Sequence, residues 1–410
     1  MPKSTKTKKH QSFTLIELIT VLAIISILIT ILIAIIKPIE ILKKVRDNKR
    51  ITDLKNIEKT IDLLYTTYPN FNELTYASTN IVYLSLQDNS PTCTSYLSQL
   101  PPLPSGWSYR CSATPTNIDG TGWIPIPFNN FDILNLTNLP IDPINKPPYY
   151  YSFVAGGSYK ITAKPETNYQ PAINDGGIEP LLYEAGSNKK LSTFQSGLVL
   201  YLPFDEGNGT TIRDVILNAT GTIYNPYGDE WVSGVSNYAY RQNNVATSTY
   251  FSVSGNEGQW ASLFTKKEFS VAYFFKVDSY YTLYILAPVV LLKHGWRGYF
   301  AYNSQNLLIR HTSSLGGGTW QNIFCGNKTI NLNQWYFFVY TFSKKDAKCY
   351  LNATLYSSPS FSQEVDTVVP NSTIVRVVSN TYWRGTIDEV RIYNVVLSAE
   401  EIKALYEATK

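Results

Sequence analysis

The sequence predicts an α+β chain that turns all-β: a long N-terminal helix with a small β head domain, then a C-terminal β-sandwich of the jelly-roll type. Three observations predict it. Residues 13–36 are apolar throughout except for one acid, Glu17. Beyond them Ile39, Leu42, Val45, Ile51, Leu54, Ile57, Ile61 and Leu64 recur every three to four positions among charged residues, the pattern of a helix with one apolar face. From about residue 197, short aromatic and β-branched runs alternate with turn residues, as strands do.

At ~1.5 Å per residue, the segment 13–36 is long enough to cross the ~30 Å hydrocarbon core of a bilayer. Lys3, Lys6, Lys8 and Lys9 precede it, which places the N-terminus in the cytoplasm. No small-residue cleavage site follows; Ile35-Ile36-Lys37-Pro38 does not fit a secretory signal. Glu17 stands out, because a carboxylate at such depth costs roughly 2.5–3.5 kcal/mol without a partner. The helix is expected to continue to about residue 67, kinked or loosened at Pro38.

From 69 to 168 the pattern becomes short and β-like. Residues 81–86 read as a strand, and 149–154 and 158–163 flank Ala155-Gly156-Gly157 as a hairpin. Residues 169–196, with Pro171, Gly176-Gly177, Pro180 and Gly186, read as a linker. The sandwich is expected at 197–410, with strands at 197–204, 269–277, 289–294, 299–310, 335–342, 348–356, 374–378 and 386–393. Trp335-Tyr336-Phe337-Phe338-Val339-Tyr340 carries aromatics on both faces, so the outer face of that strand should also be covered. Ser398 and Glu401 form a capping box for a short final helix from Ala399 to about Ala408.

Composition narrows the function classes. The 35 basic side chains, less the four leader lysines, balance the 31 acidic ones, so no nucleic-acid surface is indicated. Four cysteines without a CxxC and three histidines, His10, His294 and His311, make no zinc site. Two cysteines fall in each outer domain, which suggests one disulfide per domain in an oxidising compartment. Cys93 and Cys111 close a Pro/Ser-rich loop. Cys325 and Cys349 lie on different predicted strands with another between them, too far apart to bridge in a plain meander.

The string Ser12-Phe13-Thr14-Leu15-Ile16-Glu17-Leu18 resembles the class III signal of type IV pilins and pseudopilins. The resemblance implies a leader at 1–12, cleavage by prepilin peptidase between Ser12 and Phe13, and methylation of the new amine. It makes Glu17 the fifth mature residue, able to pair with the Phe13 amine of a neighbouring subunit. Ser12 stands where the family usually has Gly, which implies slower cleavage. Residues 13–36 would then be held in the cytoplasmic membrane before assembly and form the core of a surface filament afterwards. Arg46, Asp47, Arg50 and Asp53 would make inter-subunit ion pairs or form a solvated helix face. Residues 139–145, followed by Tyr149-Tyr150-Tyr151, resemble the closing part of pilin head domains.

Gly197–Thr211 and Gly385–Asn394, followed by Leu397-Ser398-Ala399-Glu400-Glu401-Ile402, resemble the two ends of laminin-G-like, concanavalin A-type lectin/glucanase modules. Many such modules hold one structural Ca²⁺. Matching positions make Asp214 and Asp388 its acidic ligands, although Asp214-Val215-Ile216-Leu217-Asn218-Ala219 departs from the family's motif. Trp296, Arg297 and Trp320 are the candidate carbohydrate or protein contacts. The Glu-x-Asp-x-x-Glu signature of related glucanases is missing, and strand alternation would point Asp388 and Glu389 to opposite faces. The expected function is therefore a non-enzymatic filament subunit, partnered by the assembly machinery and other subunits and displaying an adhesive module. The alternatives are a pseudopilin of a type II secretion or DNA-uptake machine and, less favoured, a glycan-active enzyme.

Overall fold

A computed structural model describes residues 14–409 except 37, 134–135, 227, 229, 244–249, 255–265, 267, 280–284, 287–288, 293–295, 304–305, 316–318, 325–329, 359, 361–374 and 379–383. Between 285 and 324 and at 375–378 it describes backbone strands alone.

Helix α1 (Leu15–Ile36) is followed by α2 (Pro38–Thr67). Pro38 opens α2, where its missing N–H costs no helical hydrogen bond. The side chains of α1 described up to Thr30 are all exposed. That described part is short of a full span, so among the described residues no helix is long and apolar enough to cross a membrane; the helical backbone itself continues to Ile36. Ile39, Leu42 and Val45, at the start of α2, are also exposed. Further along, Leu54, Ile57, Ile61 and Leu64 form a buried stripe.

That stripe packs on a five-stranded sheet made of β1 (Ile81–Gln87), β2 (Ser108–Ser112), β3 (Tyr151–Ala155), β4 (Tyr159–Ala163) and β5 (Tyr183–Ala185), in the order β2-β1-β3-β4-β5. The hairpin β3–β4 turns at Gly156-Gly157, with Gly157 at φ +77°. Strand alternation then builds two cores from one sheet. Tyr83, Tyr151, Phe153, Tyr159 and Ile161 pack with the α2 stripe. Val82, Leu84, Leu86, Tyr150 and Val154 face the other way, into a cluster shared with the C-terminal domain.

Residues 169–196, expected as a linker, are built into this layer. They hold α3 (Gln170–Ile173) and the edge strand β5, which pairs with β4. Thr193 and Phe194 are fully buried, and Gln195 bonds the Tyr150 carbonyl at 2.7 Å. Glycines and prolines here shape turns within a packed segment, which local composition does not distinguish from a tether.

The C-terminal strands are β6 (Leu198–Leu202), β7 (Thr211–Arg213), β8 (Thr220–Tyr224), β9 (Glu230–Ser233), β10 (Tyr238–Gln242), β11 (Tyr250–Ser254), β12 (Glu268–Val277), β13 (Ile285–Leu286), β14 (Val289–Leu292), β15 (Trp296–Asn303), β16 (Asn306–Leu315), β17 (Thr319–Phe324), β18 (Trp335–Ser343), β19 (Asp346–Leu351), β20 (Thr354–Ser357), β21 (Val375–Val378) and β22 (Gly385–Tyr393). One sheet runs β20-β19-β18-β12-β22-β10-β9, with β6 also on β22; the other runs β17-β16-β15-β14-β21-β11-β8-β7, with β13 on β15. The runs expected as single strands at 299–310 and 348–356 each fold back as a pair. The second turns at Asn352 and Ala353, both at positive φ, a geometry that hairpins favour.

Tyr336, Phe338, Tyr340 and Phe342 of β18 face the sandwich core. Phe337 and Val339 face outward, against α4 (Ala399–Thr409) and the head sheet. The outer face of β18 is thus covered, as its double row of aromatics required. Helix α4 starts with the expected capping box: Ser398 N–H donates to Glu401 Oε2 at 2.8 Å, and Glu401 N–H donates to Ser398 Oγ at 3.2 Å. Head and sandwich therefore share one continuous apolar cluster.

Candidate assembly and binding sites

Ser12 and Phe13, the proposed cleavage residues, lie outside the described residues. Glu17 is at the third position of α1. Its Oε2 accepts both the Thr14 N–H and the Thr14 hydroxyl at 2.8 Å, and its own N–H donates to Thr14 Oγ1 at 3.3 Å. This is a capping box, a second use for Glu17 that the sequence reading missed although Thr-x-x-Glu was there to be read. Both bonds to the carboxylate fall on Oε2; among the described residues Oε1 has no hydrogen-bond partner.

Of Arg46, Asp47, Arg50 and Asp53, the last three are buried, and all four are engaged in contacts within this chain. Arg50 is buried and donates to Asp142 Oδ2 at 2.6 Å, Asp142 Oδ1 at 3.0 Å, Asp47 Oδ1 at 2.8 Å and Glu166 Oε1 at 2.8 Å. Arg46 holds Glu166 through two further bonds of 2.7 and 2.6 Å. Asp47 also accepts the backbone N–H groups of Glu166, Thr167 and Asn168, and Tyr151 donates to Asp53 at 2.9 Å. Burial by itself would raise the Glu166 carboxyl, but the two guanidiniums hold it below its ordinary value. Burial likewise opposes the charge on Arg50, and Asp142 and Glu166 overcome it. Asp142 and Glu166 come from loops far along the chain, so helical spacing could not reveal them.

Asp214 and Asp388, the expected metal ligands, have separate partners. Asp214 Oδ1 accepts the N–H groups of Tyr201 at 2.9 Å and Ile216 at 3.1 Å, and Oδ2 accepts that of Leu217 at 2.9 Å. Burial pushes its carboxyl up to about 6. Asp388, on β22, accepts the Val235 N–H at 2.7 Å on Oδ2; its buried Oδ1 has no partner among the described residues. Gly234 lies so close that a Cβ there would come within 2.5 Å of Oδ2. Burial, reinforced by the neighbouring Glu389, raises Asp388 to about 8. Among the described residues no three His, Cys, Asp or Glu side chains converge as a metal site would require. Each of the two carboxylates accepts backbone N–H groups.

Alternation does not separate Asp388 from Glu389 as expected. The pairing of β12 with β22 slips between Ala272 and Phe274, and Glu389 has φ +56°. Such a bulge inserts one extra residue. Ile387 and Val390, three apart, consequently both face the sandwich core. Glu389 is nonetheless committed: it accepts the Tyr201 hydroxyl at 2.9 Å and pairs with Arg391 at 2.6 Å, whose guanidinium lies 4.1 Å from the Tyr201 ring centroid.

Backbone register brings the candidate contact residues to one end of three neighbouring strands. Trp296 is opposite Leu292, Arg297 is opposite Thr312, Thr312 is opposite Asn322, and Trp320 is opposite Ser314. Cys93 and Cys111 form a disulfide with Cα atoms 5.2 Å apart. Cys349, buried on β19, is also disulfide-bonded, against the expectation from a plain meander; Cys325, its expected partner, lies outside the described residues.

Residues 7–33 match the prokaryotic N-terminal methylation motif. Residues 242–403 match the concanavalin A-like lectin/glucanases superfamily. No curated protein matches the chain. Among solved structures, the binding domain of Paraclostridial Mosquitocidal Protein 1 aligns at 20% identity over 51% of this chain and 52% of that one, with a TM-score of 0.40. Domain 4 of AbnA, a GH43 extracellular arabinanase from Geobacillus stearothermophilus, in complex with arabinotriose, aligns at 17% identity over 51% of this chain and 98% of that one, with a TM-score of 0.39. Trypanosoma rangeli sialidase aligns at 14% identity over 63% and 44%, with a TM-score of 0.40. The chain spans about half the length of the first of these. Likenesses this distant say nothing about ligand or activity. The chain joins a type IV pilin N-methylation signal to a concanavalin A-like, laminin-G-type jelly-roll domain.

Proposed function

We propose that this chain is a type IV pilin-like filament subunit that carries a non-enzymatic, lectin-like module for surface binding. The observation that carries it is the methylation motif at 7–33, running directly into an apolar helix whose only acid is Glu17. Prepilin peptidase cuts before Phe13. The protein waits in the cytoplasmic membrane, N-terminus inward, until assembly machinery extracts it. The capping bonds to Oε2 hold the Glu17 carboxylate at the mouth of α1 and leave Oε1 to receive a neighbour's Phe13 amine. Burying both charges is tolerable only when they meet, which selects one axial register. The core shared by head and sandwich favours sparse or tip placement, since a module held rigidly on every subunit would crowd a filament.

In a Glu17→Ala variant we expect normal removal of residues 1–12 and a methylated Phe13 in the N-terminal peptide, but loss of the protein from sheared filaments. Incorporation at the parental level would overturn the pairing. Recovery in a secretion complex without filaments would instead support the pseudopilin alternative.

For the module, full-length protein in detergent should bind immobilised glycans. Trp296→Ala or Trp320→Ala should weaken retention roughly tenfold, the loss of one aromatic anchor. A chelator should leave binding unchanged, because Asp214 and Asp388 already accept backbone N–H groups. Loss of binding on chelation would instead support a calcium ion held by Asp214 and Asp388.

A further inference from the structure

Lys160 on β4 is fully buried, and so is Glu184 on the neighbouring strand β5. The register pairs Thr162 with Glu184, which makes Lys160 the diagonal neighbour of Glu184 on the same face. Lys160 Nζ contacts Glu184 Oε1 and lies 3.2 Å from Glu179 Oε1, on a side chain that is itself buried. One buried ammonium therefore faces two buried carboxylates. Such a cluster carries excess negative charge in a low-dielectric site, and a proton on one acid relieves it.

The surroundings hold Glu184 in one pose. Its Oε2 accepts the Glu179 N–H at 2.9 Å, while Oε1 has no donor in hydrogen-bonding geometry among the described residues and lies against Lys160 Nζ. Its own N–H donates to Asp175 Oδ2 at 2.7 Å. Gly177 closes over the carboxylate so tightly that a Cβ would overlap it. Ser196 donates to Glu179 Oε2 and orients the second acid.

We propose that Lys160 and Glu184 condense into an intramolecular amide, with Glu179 as the proton acceptor and donor. Glu184 enters as the neutral acid and Lys160 as the ammonium. One proton passes from Nζ to Glu179, and the freed amine attacks Cδ of Glu184. The Glu179 N–H stabilises the negative charge that develops on Oε2, as an oxyanion hole does. Oε1 then leaves as water, taking its own hydrogen and one from Nζ. The products are one amide, one water and protonated Glu179, so atoms and charge balance with no co-reactant. Burial pushes the Glu184 carboxyl up, against the pull of Lys160, which favours the neutral electrophile. The bond would staple β4 to β5, the last head strand before the chain enters the sandwich, where load on the displayed module passes into the filament.

The test is peptide mass spectrometry of the full chain, denatured, reduced and cut at aromatic residues. Tyr159, Tyr169 and Tyr183 separate the Lys160 segment from the Glu184 segment. We expect one branched peptide, lighter by one water than the two segments together. Recovery of both segments as separate linear peptides overturns the proposal, whatever any variant does. Lys160→Arg should abolish the branch. Glu179→Gln should leave Lys160 and Glu184 unlinked in a folded protein; a branch that still forms in Glu179→Gln overturns the role given to Glu179.

Discussion

In the head, Arg50 meets carboxylates drawn from 3, 92 and 116 residues away; in the sandwich, Asp214 and Asp388 meet backbone N–H groups among the described residues. Both regions bury charge, but they neutralise it differently, and the pH consequences run in opposite directions. Glu166 is held below its ordinary value by Arg46 and Arg50. Its contribution to stability is present above the unfolded carboxylate pKa and is lost as pH falls through the folded one. Asp214 and Asp388 are raised, to about 6 and about 8. The folded state binds their protons more tightly, so their contribution is full below ~4, the unfolded value, and declines as pH rises toward 8. Counter-ions recruited from distant segments make a charge an asset to the fold. Backbone dipoles alone make it tolerable, and then chiefly when it is protonated.

The strongest way to break this comparison is Arg50→Ala, which leaves Asp47 and Asp142 buried without their cation and Glu166 with Arg46 alone. It should cost about 3–5 kcal/mol, measured by denaturant unfolding of the full chain in detergent. A loss near zero would mean that the network is solvated after all. Asp388→Asn sharpens the other side with a smaller effect. It should stabilise the protein by about 1–3 kcal/mol at pH 8, where the native carboxylate would lose its proton without a counter-ion, and by almost nothing near pH 4. A gain of equal size at both pH values would trace the effect to packing rather than to the charge.

The long helix, the β3–β4 hairpin, the covered outer face of β18 and the capping box of α4 were all legible in the sequence. Each rests on residues within a few positions of one another, where periodicity and cap chemistry act. The pairs hidden in 299–310 and 348–356 were not, because their turns interrupt runs whose composition still reads as a single strand. The bulge at Glu389 was also missed, since one extra residue leaves no mark on composition yet reverses the faces after it.

By itself the sequence determined the long helix, the short final helix and the β3–β4 hairpin, where the apolar run starts, and that Glu17 is the one acid within it. Those properties follow from local spacing and side-chain chemistry. Tertiary structure decided what the charges of α2 are for, whether residues 169–196 tether or pack, and which carboxylates face a cation. Arg50 finds Asp142 and Glu166, Lys160 finds Glu179 and Glu184, and Phe194 fills the boundary between head and sandwich only because the chain folds distant segments together. A buried charge is acceptable only beside partners that satisfy it, and those partners are chosen by the fold.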